Sequence, residues 1–244
     1  MSTRRAPPRI GVFGGTFNPI HVCHLRIAAR VRELAGLDRV IFVPAAIPPH
    51  KAGDLAPAAH RFEMVKLAVA GWPRFGVDDL ELTREGPSYS ADTMEVFRRR
   101  YPDADLSFLL GIEMFRTLSA WRDPHRLVAA CRLLVIGRQG TPFAGLVGLP
   151  WMAETPREAL ERLDAQAGEA VLDLSPHAPV CLIRPIPCDA SSTQIRRDLA
   201  AGRSVKKVLP APVQSYILQN RLYGVRETNE LSNRVAGSPH DSDG

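Results

Sequence analysis

Short runs of β-branched and aromatic residues alternate along this chain with segments of helical period, and no other feature restricts the fold as strongly. Ile10-Gly11-Val12-Phe13 reads as a strand. Residues 24–35 carry Ile27, Val31 and Leu34 at helical spacing, and Gly36 follows as a C-terminal stop. Val40-Ile41-Phe42-Val43 is apolar on both faces, as a strand buried in a parallel sheet is. The pattern then predicts a helix over 58–70 with Phe62, Val65 and Val69 on one face, a short strand at 75–77, a helix over 91–100, and strands over 106–110, 133–136 and 180–183. The implied class is α/β: a doubly wound, Rossmann-like parallel sheet with helices on both faces and a C-terminal helical segment. Ligands bind such sheets beyond the carboxyl ends of the strands, where the strand order reverses. The turns after Phe13, Val43, Leu110 and Ile136 are therefore where chemistry is expected.

The 244 residues suit a single domain, expected over 9–224, with 1–8 as an N-terminal extension. Residues 227–244 hold only Leu231, Val235 and Ala236 as apolar side chains, so a disordered tail is expected over 225–244. Apolar residues at 45% exclude a wholly disordered chain. The 21 prolines point to stiffened loops, and 141–156 reads as a long one. Lys and Arg exceed Asp and Glu by 31 to 26, a net charge of +5 that suits an anionic ligand without requiring one. No basic run of nucleic-acid type is present, and Arg98-Arg99-Arg100 reads as a solvated helix end. Cysteines at 23, 131, 181 and 188 have no C-x-x-C spacing. A disulfide scaffold is not expected, and a reducing cytoplasm is. The N-terminus has no apolar leader segment, and the stretch 127–136, broken by Arg132, is too short for the ~20 residues of a membrane span.

The segment Gly14-Gly15-Thr-Phe-Asn-Pro-Ile-His21-Val-Cys-His24-Leu25 follows the first strand and opens a helix. Gly14-Gly15 permits a sharp turn and close approach to a ligand. Two imidazoles at a helix start could donate hydrogen bonds to phosphoryl oxygens, where free N–H groups and the helix dipole already favour anions. The glycine spacing is neither that of a dinucleotide fingerprint nor of a P-loop. No second ligand pair accompanies the histidines, which argues against zinc. Histidines of purely structural role remain the alternative.

This stretch resembles the H-x-G-H signature of a nucleotidyltransferase superfamily. Further segments resemble one of its families, bacterial nicotinate-nucleotide adenylyltransferase. They are Pro48-Pro49-His50-Lys51, His60-Arg61, Ser88-Tyr89-Ser90-x-x-Thr93, Gly111-x-Glu113 with Trp121, Ser191-Ser192-Thr193-x-Ile195-Arg196, and the closing run from Val208 to Tyr223. Together they cover about 9–224, in order. Four positions depart from the family pattern. Asn18 stands for a frequent Asp, Cys23 for the Gly that lets adenine pack close, Glu113 for a common Asp, and Gln139 for the Pro of Arg-Pro-Gly.

The resemblance implies adenylyl transfer from ATP to nicotinate mononucleotide in NAD biosynthesis, giving nicotinate adenine dinucleotide and pyrophosphate. It implies that His21, His24, Lys51 and Arg196 are catalytic. ATP would be held by Gly14, Gly15, Thr16, Phe17, His21, His24, Gly111, Glu113, Arg138, Ser191, Ser192, Thr193 and Arg196. Nicotinate mononucleotide would be held by Lys51, Ser90, Trp121 and Arg122, with Trp121 stacking on the pyridine and the backbone N–H groups of Trp121 and Arg122 near the carboxylate. No protein-held metal is expected; Mg2+ would arrive with ATP. The partners are small molecules, with no nucleic acid or membrane and with homo-oligomers open. On the residues alone Ser191-Ser192-Thr193 could be a helix cap only. A related pantetheine-phosphate adenylyltransferase and a nucleotide-binding module without turnover are the competing readings; a nicotinamide-dependent oxidoreductase is the weakest. A single ATP held this way requires the segments near 21 and near 193 to face one common site.

Overall fold

The structure, a computed structural model, describes residues 6–49, 55–174 and 179–225. The chain runs β1 (Arg9–Gly15), α1 (Val22–Leu34), β2 (Arg39–Pro44), α2 (Ala58–Val69), β3 (Phe75–Val77), α3 (Leu80–Thr83), α4 (Ser90–Arg100), β4 (Asp105–Gly111), α5 (Ile112–Arg116), α6 (Pro124–Ala130), β5 (Arg132–Ile136), α7 (Arg157–Ala165), β6 (Val171–Asp173), β7 (Val180–Ile183), α8 (Ser192–Ala200) and α9 (Ala211–Gln219).

Seven strands form one sheet in the order β3-β2-β1-β4-β5-β7-β6. Every pairing is parallel except that of β6 with β7. The order reverses between β1 and β4, which puts a crevice at their carboxyl ends. Alternate residues of each strand feed opposite faces. Leu133 and Val135 pack with Met94 and Phe97 of α4 and Leu127 of α6 on one side. Leu134 and Ile136 pack with Ala28 of α1, Met64 of α2, Ile195 of α8 and Val213 of α9 on the other. The doubly wound α/β class is as the alternation of elements implies.

Several local expectations differ from what is found. The buried face of α2 is Arg61, Met64, Val65, Ala68 and Val69, with Phe62 only half-buried. The stretch 141–156 is not an open loop: it contains two short 3-10 turns that bury Phe143, Leu146 and Met152. Beyond it, α7, which buries Leu160 and Leu163 one turn apart, and the three-residue antiparallel edge strand β6 add to the expected elements. Arg98 is not simply solvated. It donates to Ala104 O at 2.8 Å and Ala130 O at 2.7 Å, tying the end of α4 to the chain before β4 and β5. Residues 226–244, and so nearly all of the expected tail, lie outside the described residues.

Candidate active site

A cavity of about 920 Å³ opens at the reversal between β1 and β4, a size that suits a nucleotide. Phe13, Gly14 and Gly15 end β1 on its wall, and Phe108 to Gly111 end β4. Gly14 and Gly15 are needed for packing as much as for the turn. A Cβ on Gly15 would meet the Phe17 ring at 2.8 Å, and one on Gly14 would meet the Phe108 ring at 3.2 Å. Phe17 adopts a left-handed φ of 46° and folds back against His24 and Phe42.

The starts of α1 and α8 meet across this crevice. Ser192 Oγ donates to Pro19 O at 2.9 Å, and Arg196 Nη1 donates to Asn18 O at 2.9 Å. His24 sits on the cavity wall with Ser192, Thr193 and Arg196. The two segments far apart in sequence thus share one site. At its other end the wall is made by Ser90 at the start of α4, Tyr89, Trp121 and Arg122. The Arg122 guanidinium lies over the Tyr89 ring, 4.7 Å from its centroid, and a side-chain hydrogen bond with Tyr89 raises its pKa.

The two histidines differ in environment. The His21 backbone N–H donates to His24 Nδ1 at 3.2 Å, which leaves the His24 proton on Nε2. The rings stack with centroids 3.8 Å apart. His21 is buried, and burial pushes its pKa down to about 4, so it is a neutral imidazole at pH 7. Its Nδ1 is buried without a hydrogen-bond partner among the described residues.

The cavity wall includes Gly14, Gly15, Thr16, Phe17, His24, Gly111, Ser192, Thr193 and Arg196 of the expected ATP set, and Ser90, Trp121 and Arg122 of the mononucleotide set. Others stand off it. His21 lies behind His24, and Arg138 is exposed on the turn after β5. Ser191 accepts from Gln194 N at 3.2 Å and caps α8. Glu113 accepts from Thr141 Oγ1 at 3.0 Å. The Trp121 backbone N–H is already given to Leu118 O at 3.0 Å, so it is not the carboxylate donor expected of it. Lys51 lies outside the described residues. Cys23 is not on the cavity wall either. It is buried against the chain before α8, where it forms a disulfide with Cys188. That bridge was not expected from four scattered cysteines.

Three supporting residues had no role assigned from sequence. Arg61 is 1% exposed, yet among the described residues no carboxylate pairs with it. Its guanidinium instead donates to four main-chain carbonyls: Ala56 at 2.9 Å, Thr16 at 2.8 Å, Ala45 at 2.6 Å and Ala46 at 3.0 Å. It therefore fastens the turn after β1 to the turn after β2. Asn18 Oδ1 accepts from Ala56 N at 3.0 Å and from the Tyr223 hydroxyl at 2.9 Å. Glu81 is buried on the wall and accepts from Thr93 Oγ1 at 2.6 Å, with its pKa raised by burial. The only sequence signal for these was membership in quoted motifs, in the case of Arg61 and Asn18.

The family model described as cytidylyltransferase-like matches residues 12–198. A protein named probable nicotinate-nucleotide adenylyltransferase from Citrifermentans bemidjiense is 42% identical over 221 residues, covering 88% of this chain and 98% of its own. One of the same name from Thermus thermophilus is 39% identical over 215 residues, with 88% and 99% covered. The chain belongs to the nicotinate-nucleotide adenylyltransferase family. Its fold is shared with a Plasmodium falciparum nicotinic acid mononucleotide adenylyltransferase solved with NaAD, at a TM-score of 0.65 and 18% identity over 90% of this chain and 98% of that one. Among the described residues no group of three or more His, Cys, Asp or Glu side chains could hold a metal ion, and no helix is long and apolar enough to cross a membrane.

Two outcomes follow for this family member. Arg61→Ala would strip four carbonyls, two of them in buried hydrogen bonds and two in part-buried ones, of their donor and lower stability by about 3–5 kcal/mol, read as a urea midpoint. Arg61→Lys would recover only part of this, because one ammonium cannot serve the whole fork. His21 has the opposite signature, in pH. The folded state binds its proton less readily than the unfolded chain, whose histidine titrates near 6.5. The stability it confers is complete above that value and is lost as pH falls toward about 4. The loss is roughly 3 kcal/mol, and His21→Asn should flatten that limb of the urea-measured pH profile.

Proposed function

We propose that the cavity binds ATP across the starts of α1 and α8 and nicotinate mononucleotide against Trp121, and that the 5′-phosphate of the mononucleotide attacks the α-phosphorus of ATP. The bond to the β-phosphate bridging oxygen breaks as the new P–O bond forms, releasing pyrophosphate and nicotinate adenine dinucleotide. The carrying observation is the meeting of the two helix starts at one crevice, with His24, Ser192, Thr193 and Arg196 on its wall.

The substrate phosphate is itself the nucleophile, so the protein supplies position and charge stabilisation. His24 Nε2–H is the donor for an α-phosphoryl oxygen, held in that tautomer by the His21 backbone N–H. His21 stays neutral and stacks behind it. That neutrality keeps two imidazolium charges from facing each other. Arg196 gives one of its five N–H groups to Asn18 O, which fixes the guanidinium and leaves its fork for the β- and γ-phosphates. The α8 N-terminus adds main-chain donors and dipole. Lys51 is assigned the approaching phosphates from the family motif.

At the opposite end Trp121 offers a stacking face, and Arg122, anchored on Tyr89, offers the positive charge for the pyridine carboxylate. The donors on the wall are hydroxyl, imidazole and guanidinium groups that suit phosphate rather than a metal. Among the described residues the one carboxylate there, Glu81, is buried and engaged with Thr93. Mg2+ is therefore read as part of the MgATP substrate, coordinated by phosphate oxygens and water.

Pyrophosphate release from ATP and nicotinate mononucleotide tests the reading. His24→Ala and Arg196→Ala should each lose on the order of 10²–10³ in kcat with folding unchanged by circular dichroism. Near-normal turnover of either would remove that residue from the mechanism. The Arg122 charge also predicts a higher kcat/KM for the acid mononucleotide than for its amide, narrowed by Arg122→Gln; equal efficiency in the unaltered protein would contradict the carboxylate assignment.

A further inference from the structure

We propose that Cys23 and Cys188 form a reversible dithiol–disulfide site, oxidised by low-molecular-weight disulfides, that tightens the hold of the pocket on ATP. This rests on the reading that the starts of α1 and α8 clasp one ATP between them.

Cys23 is the second residue of α1 and stands between His21 and His24. Cys188 lies in the connection between β7 and α8, three residues before the Ser191 cap. Their Cα atoms are 5.6 Å apart, although 165 residues separate them in sequence, a spacing natural to a bridged pair. The bond therefore joins the two helix starts that form the proposed phosphate cradle.

Besides the bridge, the connection before α8 is held by Ile186 and Ala190, partly buried against the core, and at its end by Ser192 Oγ donating to Pro19 O; its remaining polar ties are weak. Ala190 N–H donates to Cys23 Sγ at 3.3 Å, and Arg26 reaches Pro187 O at 3.4 Å. Pro187 and Asp189 are exposed. Single hydrogen bonds of this kind contribute about 0.5–1.5 kcal/mol each. The body of α8 is held differently, by Ile195 and Leu199 buried in the core below it. Opening the bridge thus loosens the entry to α8 without dismantling the helix. The pyridine end of the cavity, built by α4 and the turn at Trp121, has no covalent tie to this bond. The change should be felt by ATP and not by the mononucleotide.

The chemistry is selective for this pair. Cys188 is half-buried between the exposed Pro187 and Asp189, whereas Cys23 is 3% exposed. An incoming thiolate attacks Cys188 Sγ, and Cys23 leaves as a thiolate stabilised by the α1 N-terminus and the Ala190 N–H. In the forward direction two protein thiols give two protons and two electrons to a small disulfide, whose S–S bond breaks to yield two small thiols. Cys131 and Cys181 do not compete, because burial raises their thiols to about 12 and about 11. In a reducing compartment the dithiol is the resting form, and the bridge is then the response to oxidation.

The full chain would be oxidised with glutathione disulfide or reduced with dithiothreitol, and ATP affinity measured by calorimetry beside the KM of each substrate. The reduced form should bind ATP about three- to tenfold more weakly, with the KM for nicotinate mononucleotide and kcat unchanged. Peptide mapping of the oxidised form should show the Cys23–Cys188 linked pair. Cys188→Ser should match the reduced protein and ignore both reagents; if that variant does not fold, the unaltered chain in its two redox states decides alone. Equal ATP affinity in the two states, absence of the linked peptide after oxidation, or a change in kcat with ATP affinity constant would each overturn the proposal. Redox-dependent ATP binding without pyrophosphate release would uphold it while overturning adenylyl transfer.

Discussion

The reversal of strand order between β1 and β4 is the constraint from which the rest of the molecule follows. Neighbouring strands whose crossovers leave in opposite directions cannot both have their carboxyl ends covered by helices. A crevice opens there, and main-chain groups at its floor face whatever enters. The floor is lined by Gly14 and Gly15 on one strand and Gly111 on the other, so the backbone itself comes close to a ligand. The apolar sheet beneath, closed on both faces by helices, makes that opening rigid.

A crevice of this kind exposes loops, and loops must be held if donors are to act without reorganising. Here the holding is done by polar groups that bind main chain rather than one another. Arg61 gathers carbonyls from the turns after β1 and β2 and from the chain before α2. Asn18 joins Ala56, Tyr223 and Arg196 through its side-chain and main-chain oxygens. Ser88 Oγ accepts from Ala46 N at 3.0 Å on the far side of the same loop. A guanidinium that satisfies four carbonyls is costly to bury yet cannot be traded for a neutral side chain without orphaning all four. Such a group fixes geometry more than it adds net stability.

The alternation of elements made the sheet and its parallel strands readable, because buried strands such as 40–43 are apolar on both faces and need no context to be identified. What escaped reading was structure set by tertiary contact. The edge strand β6 is three residues long and mostly exposed, and the packing of Phe143, Leu146 and Met152 comes from the core they meet rather than from any period. The site shows the same division. Histidines, serines and Arg196 are polar residues at helix starts, and their chemistry declares itself in the sequence. The use made of backbone groups does not: the Trp121 N–H turned out to be committed to Leu118, and Ser191 to capping α8. Cysteine spacing was equally silent, since a pair 165 residues apart becomes adjacent only through the strand order.

Asn18 and Cys23 both depart from the resembled pattern, and the structure treats them in opposite ways. Asn18 keeps what a carboxylate would supply there, because its Oδ1 acts only as an acceptor toward Ala56 N and the Tyr223 hydroxyl. Replacing a charge by an amide at a buried acceptor removes a desolvation cost and loses little. Cys23 adds a function that glycine cannot have. A side chain at that point of α1 must go somewhere, and the chain before α8 is the near neighbour; sulfur meets Ala190 N–H and Cys188 there, not the ligand cavity. The room that a glycine would leave for a nucleotide is therefore not taken by this side chain. Substitution inside the motif is accommodated because the motif's working surface is the face of His24, one residue on from Cys23 and turned toward the crevice.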